Sequence, residues 1–182
     1  MEIVKTAIPD VSIIIPKVFK DGRGFFFEFF NSQALKELGI MYEFVQDNLS
    51  GSVAGTLRGL HYQIQHPQGK LVTVLTGEVF DVAVDLRRSS PYFGRHIGVR
   101  LSGNERRFLW IPPGFAHGFL ALSETVEFFY KVTDYYHPDA ERTLRWDDRE
   151  LGIDWPIGPG MQLIMSEKDR AGKALRLAET YP

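Results

Sequence analysis

The sequence contains no cysteine. That excludes disulfide frameworks, thiol nucleophiles, iron–sulfur clusters and cysteine-ligated zinc, and it fits a cytoplasmic setting. No apolar run approaches the ~20 residues needed to cross a bilayer. The first residues, Met1-Glu2-Ile3-Val4-Lys5, lack the basic-then-apolar order of a secretory leader. Net charge is only −2, so no broad basic field exists to hold nucleic acid. Helix signals are also scarce. Asn31 or Ser32 can cap one helix carried by residues 34–38, with Gly39 just beyond its end. A second, short helix starts at Ser166, with Glu167 and Asp169 in its first turn. Repeats, low-complexity tracts and linkers are absent, so the 182 residues read as one domain, 1–182.

What the chain does have is aromatic residues, glycine and proline. Its 14 Phe, 7 Tyr and 3 Trp, within a 44% hydrophobic composition, exclude disorder. The 17 Gly and 10 Pro are spread along the chain and punctuate many short strands. Strand signals cover 11–15, 24–30, 44–50, 56–63, 70–75, 78–85, 96–101, 106–111, 118–121 and 126–133. In the sixth of these, Phe80, Val82 and Val84 share one face and Asp81 and Asp85 the other, which predicts a half-buried antiparallel strand. Ten short strands with few helices predict an all-β sandwich or barrel, most simply a jelly roll.

Of the five histidines, His66 and His137 each precede proline in polar surroundings, and His96 follows Arg95. These three carry no motif. His61 ends Arg58-Gly59-Leu60-His61, and His117 ends Pro112-Pro113-Gly114-Phe115-Ala116-His117. This pair of strings resembles the two motifs of the cupin superfamily, whose metal sites sit in a jelly-roll barrel. Two metal-ligand positions of that pattern differ here. Gln63 stands where a second imidazole would be, and Lys70 where a carboxylate would be. A charged lysine cannot ligate a cation, and an amide is a poor ligand for a transition metal. A positive charge in the metal's place points to an anion, or to a transition state that becomes one. No metal and no cofactor are therefore expected in the chemistry.

Longer strings sharpen the resemblance. Arg58-Gly59-Leu60-His61-Tyr62-Gln63, Gly69-Lys70-Leu71-Val72, Gly77-Glu78-Val79-Phe80-Asp81-Val82 and Trp110 to Phe119 are similar to the dTDP-4-dehydrorhamnose 3,5-epimerase family. So are Arg23-Gly24-Phe25-Phe26-Phe27-Glu28, Phe44-Val45-Gln46-Asp47-Asn48 and Phe129-Tyr130-Lys131. The resemblance covers about 5–169 and implies metal-free inversion of a 4-keto-6-deoxy nucleotide sugar at carbons 3 and 5. It implies His61 as base, Asp169 as its partner, Lys70 beside the enolate oxygen and Tyr130 as the acid on the opposite sugar face. It further implies that Arg23, Glu28, Gln46, Asn48 and Arg58 contact the nucleotide-sugar, that Phe26 and Tyr136 pack on thymine, and that His117, Glu141 and Lys168 line the site. The family's homodimers bring the segment around Arg23 and Glu28 to the neighbour's barrel.

These roles suit the chemistry. Both carbons flank the C4 ketone, so loss of either proton gives an enolate. A histidine is a base near neutral pH, a carboxylate partner fixes its tautomer, and a phenol is a proton donor at pH 7. Strict alternation nevertheless sends Arg58 and His61 to opposite faces of a strand, since they are three apart. Gly59 is a candidate bulge that would bring them together. Three other readings remain at this point: inversion at a single carbon, a metal-dependent cupin enzyme, and a non-catalytic sugar-nucleotide binder.

Overall fold

A computed structural model describes residues 1–182. In chain order the strands are β1 (Glu2–Lys5), β2 (Ser12–Ile15), β3 (Phe19–Asp21), β4 (Gly24–Phe26), β5 (Gln46–Val53), β6 (Leu57–Gln63) and β7 (Lys70–Thr76). They continue with β8 (Glu78–Asp85), β9 (His96–Ser102), β10 (Phe108–Ile111), β11 (Phe115–Ala121), β12 (Thr125–Val132) and β13 (Glu141–Thr143). Helix α1 (Ser32–Glu37) precedes β5, and α2 (Glu167–Arg170) follows β13. A six-stranded sheet, β1-β2-β10-β7-β12-β5, packs on a five-stranded sheet, β13-β6-β11-β8-β9, and β3-β4 form a separate hairpin. All named pairings are antiparallel. This is the expected all-β, jelly-roll-type sandwich. No helix is long and apolar enough to cross a membrane.

Three apolar clusters form the core. The inner one joins the facing sheets through Val72 and Val74 of β7, Leu109 and Ile111 of β10, Val79 and Ala83 of β8, Phe115 and Phe119 of β11, and Phe128 of β12. A second covers the back of the five-stranded sheet, where Val82, Val84, Ala116 and Leu120 meet Leu144, Leu151, Trp155 and Leu175. A third covers the back of the six-stranded sheet, where Leu35 of α1 and Ile40 pack on Leu71, Phe108 and Trp110. Each buried side chain of this size contributes about 1.5–3 kcal/mol relative to exposure.

Both helices start where their caps predict. The Asn31 side chain accepts from the Ala34 amide, and Gly39 lies in the left-handed region at φ +88°. Ser166 and Asp169 form a reciprocal capping box at α2. Several strand expectations need correction. The strand expected over 24–30 stops at Phe26, because Phe27 and Phe29 turn back onto the third cluster. The one expected over 118–121 begins at Phe115, so His117 lies inside β11. Strands β1, β3 and β13 had no local signal strong enough to mark them. β8 is not half-buried: Asp81 and Asp85 are fully buried, like Val82 and Val84. Asp81 shares its face with Val79 and Ala83, and that face is the interior one.

Candidate active site

The β5-β12-β7 register builds one wall of a large cavity between the sheets. Gln46 pairs with Val132 and Val132 with Lys70; Asn48 pairs with Tyr130 and Tyr130 with Val72; Ser50 pairs with Phe128 and Phe128 with Val74. Paired residues project to the same side of a sheet, so these three rows share the inner face. Gln46, Asn48 and Ser50 of β5, Tyr130 of β12 and Lys70 of β7 therefore share one wall with Val72, Val74, Phe128 and Val132.

The opposite wall comes from β6 and β11. His61 pairs with His117, and Arg58 pairs with Phe119. Two residues separate Arg58 from His61, but only one separates Phe119 from His117. The extra residue is a β-bulge at Gly59-Leu60, and it turns Arg58 and His61 to the same face. Gly59 has φ +126°, and a Cβ there would lie 2.5 Å from Gly118 Cα. Both the dihedral and the close approach require glycine.

The cavity measures about 1190 Å³, and Gln46, Asn48, Arg58, His61, Lys70, His117, Tyr130, Tyr136, Glu141, Lys168 and Asp169 all line it. That exceeds an ordinary small-molecule pocket and suits an extended ligand such as a nucleotide-sugar. Arg23, Phe26 and Glu28 stand apart from it within this chain. Arg23 and Phe26 flank a separate depression of about 440 Å³ at the β3-β4 hairpin, where the Arg23 side chain is 91% exposed and paired with Asp21. Glu28 accepts from Asn31 Nδ2 at 3.1 Å, beside the α1 cap. None of the three lines the large cavity, so the chain's own fold does not bring them to it.

At the centre, His61 Nε2 lies 2.6 Å from Asp169 Oδ1. The Asp169 carboxylate also accepts from the Gly59 amide at 3.1 Å and the Ser166 hydroxyl at 2.6 Å. Burial opposes its ionisation, but the bonds from His61, Ser166 and Gly59 outweigh this and hold it below the usual carboxylate range. The capping box of α2 and the Gly59 bulge thus orient the carboxylate that orients the imidazole. Lys70 is buried and reaches the His61 carbonyl at 3.5 Å. Burial lowers its pKa to about 8 against the opposing charges of Asp81 and Glu141. Burial raises that of Tyr130, with the Arg58 charge opposing, so the phenol is protonated at neutral pH.

Other polar groups are engaged with one another. Glu141 accepts from Lys168 Nζ at 2.8 Å and from the Tyr136 hydroxyl at 2.9 Å. Arg58 donates to Ser52 Oγ and to the Gly51 carbonyl, both at 3.1 Å. Gln46 Nε2 donates to Asn48 Oδ1 at 2.8 Å. Gln63 is turned to backbone: it donates to the His66 carbonyl at 2.7 Å and accepts from the His137 amide at 2.8 Å.

Sequence reasoning missed Asp81. His117 Nε2 donates to its carboxylate at 2.9–3.0 Å in a fully buried contact. Burial lowers the pKa of His117, with Asp81 opposing, so the neutral ring is held in one orientation. The signal was available, because Val79 and Ala83 are apolar on the face that carries Asp81. Ser166 was read only as a helix cap, and its second role depends on a contact with Asp169 that also reaches β6.

Both sequence and fold relate the chain to known proteins. The family profile described as dTDP-4-dehydrorhamnose 3,5-epimerase matches residues 5–177. The dTDP-4-dehydrorhamnose 3,5-epimerase of Pseudomonas aeruginosa is 55% identical over the full length of both chains. That of Methanothermobacter thermautotrophicus is 52% identical over 98% of this chain and 96% of its own. The crystal structure of the Legionella pneumophila dTDP-6-deoxy-D-glucose-3,5-epimerase, in complex with dTDP-4-keto-L-rhamnose, superposes with a TM-score of 0.94. It is 54% identical and covers 98% of this chain and 94% of its own. With a profile match across nearly its whole length and relatives above 50% identity, the chain belongs to the dTDP-4-dehydrorhamnose 3,5-epimerase family.

Proposed function

We infer that the chain converts dTDP-4-dehydro-6-deoxy-D-glucose to dTDP-4-dehydro-L-rhamnose, the double inversion of dTDP-L-rhamnose biosynthesis. The observation that carries this reading is the arrangement of proton-transfer groups across the cavity. His61, backed by Asp169, belongs to the five-stranded sheet; Tyr130 and Lys70 belong to the six-stranded sheet facing it. A sugar ring lying between the sheets has a base on one face and an acid on the other. His61 removes the proton from C3 or C5, the electron pair moves to O4, and the Lys70 ammonium stabilises the enolate. Tyr130 then delivers a proton to the opposite face of the carbon, and solvent exchange resets both groups.

Arg58, Lys168, Gln46, Asn48 and Tyr136 stand along the same cavity and suit the diphosphate and base of the handle. Arginine matches phosphate oxygens bidentately. Arg23, Phe26 and Glu28 suit a neighbouring copy. The hairpin exposes Phe19, Phe25 and Phe26, and β5 exposes Leu49 and Val53, which supports a homodimer in which Arg23, Phe26 and Glu28 complete the partner's site. The three clusters draw on residues from Ile8 to Leu175, which supports a single domain, and the absence of cysteine supports a cytoplasmic enzyme.

Proton NMR in D₂O with the 4-keto nucleotide-sugar tests the reading directly. Deuterium should enter at both C3 and C5, with the L-rhamno product accumulating. Exchange and inversion confined to one carbon would replace the double epimerase with a single-carbon enzyme.

The Lys70 role predicts a pH profile. The ammonium is the active form and titrates at about 8. On the alkaline side, activity should therefore fall as pH rises through that value. Lys70→Met should lose this alkaline limb along with most of its rate. An alkaline limb unchanged in Lys70→Met assigns it to another group.

A further inference from the structure

Outside the cavity, His66, Asp134 and His137 bring three metal-ligating atoms within 4.8 Å of one another. We propose that these three residues form a binding site for a divalent transition ion of the zinc, nickel or copper type, separate from the catalytic groups. The two imidazole rings stack at 4.0 Å between centroids with planes 15° apart, so a shared ion requires one ring to turn out of the stack until both nitrogen lone pairs converge. His66 Nδ1 lies 3.5 Å from Asp134 Oδ2. Two imidazoles and one carboxylate suit borderline ions and not magnesium or calcium, which prefer all-oxygen shells. Water completes the shell, since His66 faces solvent.

The cluster is held by buried structure beneath it. Gln63, 3% exposed, donates to the His66 carbonyl and accepts from the His137 amide, so one amide clips both histidines in place. Gln68 donates to the Asp134 carbonyl at 2.8 Å, and the Tyr135 amide donates to Asp134 Oδ1, leaving Oδ2 toward His66. His66 itself has φ +55°, in the left-handed region, although it precedes Pro67. A non-glycine residue there, ahead of proline, is disfavoured twice over, and such strain persists where surrounding contacts dictate it. The ion would tie the β6–β7 loop to the segment after β12. Those two segments carry Gln68 and Tyr136, which line the cavity.

The test uses protein stripped with chelator and titrated with zinc chloride by calorimetry. One ion should bind per chain, and the thermal midpoint should rise by about 5–10 °C at a hundredfold excess over Kd. Copper(II) on the unaltered chain should give an electron paramagnetic resonance spectrum split by two imidazole nitrogens. His66→Asn tolerates a left-handed backbone, so the loop is retained. It should weaken zinc at least tenfold and leave one nitrogen, as should His137→Asn. Absence of zinc binding at 1 mM, a copper spectrum without two nitrogens, or undiminished zinc affinity in the double variant overturns the site.

Discussion

His61→Ala should abolish deuterium wash-in at both C3 and C5, lowering it by about 10⁴-fold, the upper end for one general base. The cavity contains no ready substitute. His117 has its Nε2 committed to Asp81 within a buried pair. Lys70 is largely protonated below about pH 8. The fold should survive, because the His61 side chain is one-quarter exposed and Asp169 keeps its bonds from Ser166 and the Gly59 amide. Circular dichroism and the thermal midpoint check this in parallel. Asp169→Asn should lose less, since the imidazole remains but is poorly oriented. Wild-type wash-in from a folded His61→Ala protein would remove the mechanism.

Tyr130→Phe should separate two steps that the intact enzyme couples. The ring packs near Phe128, at 6.1 Å between centroids, and phenylalanine keeps that packing. Only the hydroxyl is lost. His61 still takes a proton from carbon and returns it, or a solvent deuteron, to the same face. Wash-in with retained configuration should persist while inversion slows by about 10²–10⁴-fold. The expectation rests on the two groups standing on facing sheets, so that neither can do the other's work. Following both signals in D₂O distinguishes the outcomes. Parallel loss of wash-in and inversion, or loss of neither, assigns the opposite-face donor to another group.

Much of this was legible from local signals. The helix caps at Asn31 and Ser166 were readable because a cap involves residues within three positions of each other. Most strands were readable from punctuation by Gly, Pro and Asn. β3 and β13, at three residues each, are too short for a period-two pattern to register. The alternation in β8 misled because both of its faces are covered, one by the facing sheet and one by the C-terminal segment. Polar residues on such a strand mark a site and not a solvent face, and Asp81 is that case.

The sequence by itself determined the sandwich class, the substitution of Gln63 and Lys70 at metal-ligand positions, and the motif residues His61, His117 and Tyr130. The sandwich class follows from composition and strand spacing, and the rest from motif strings whose resemblance to the cupin and epimerase patterns the unfolded chain already carries. Tertiary structure decided which of those residues meet. The bulge at Gly59 turned Arg58 and His61 to one face, and the capping box at Ser166 delivered Asp169 to an imidazole 108 residues away. Sheet register aligned Asn48 with Tyr130. It also left Arg23, Phe26 and Glu28 outside the cavity of their own chain. Register, bulges and long-range pairs depend on contacts between distant segments, and those contacts exist only once the two sheets have packed.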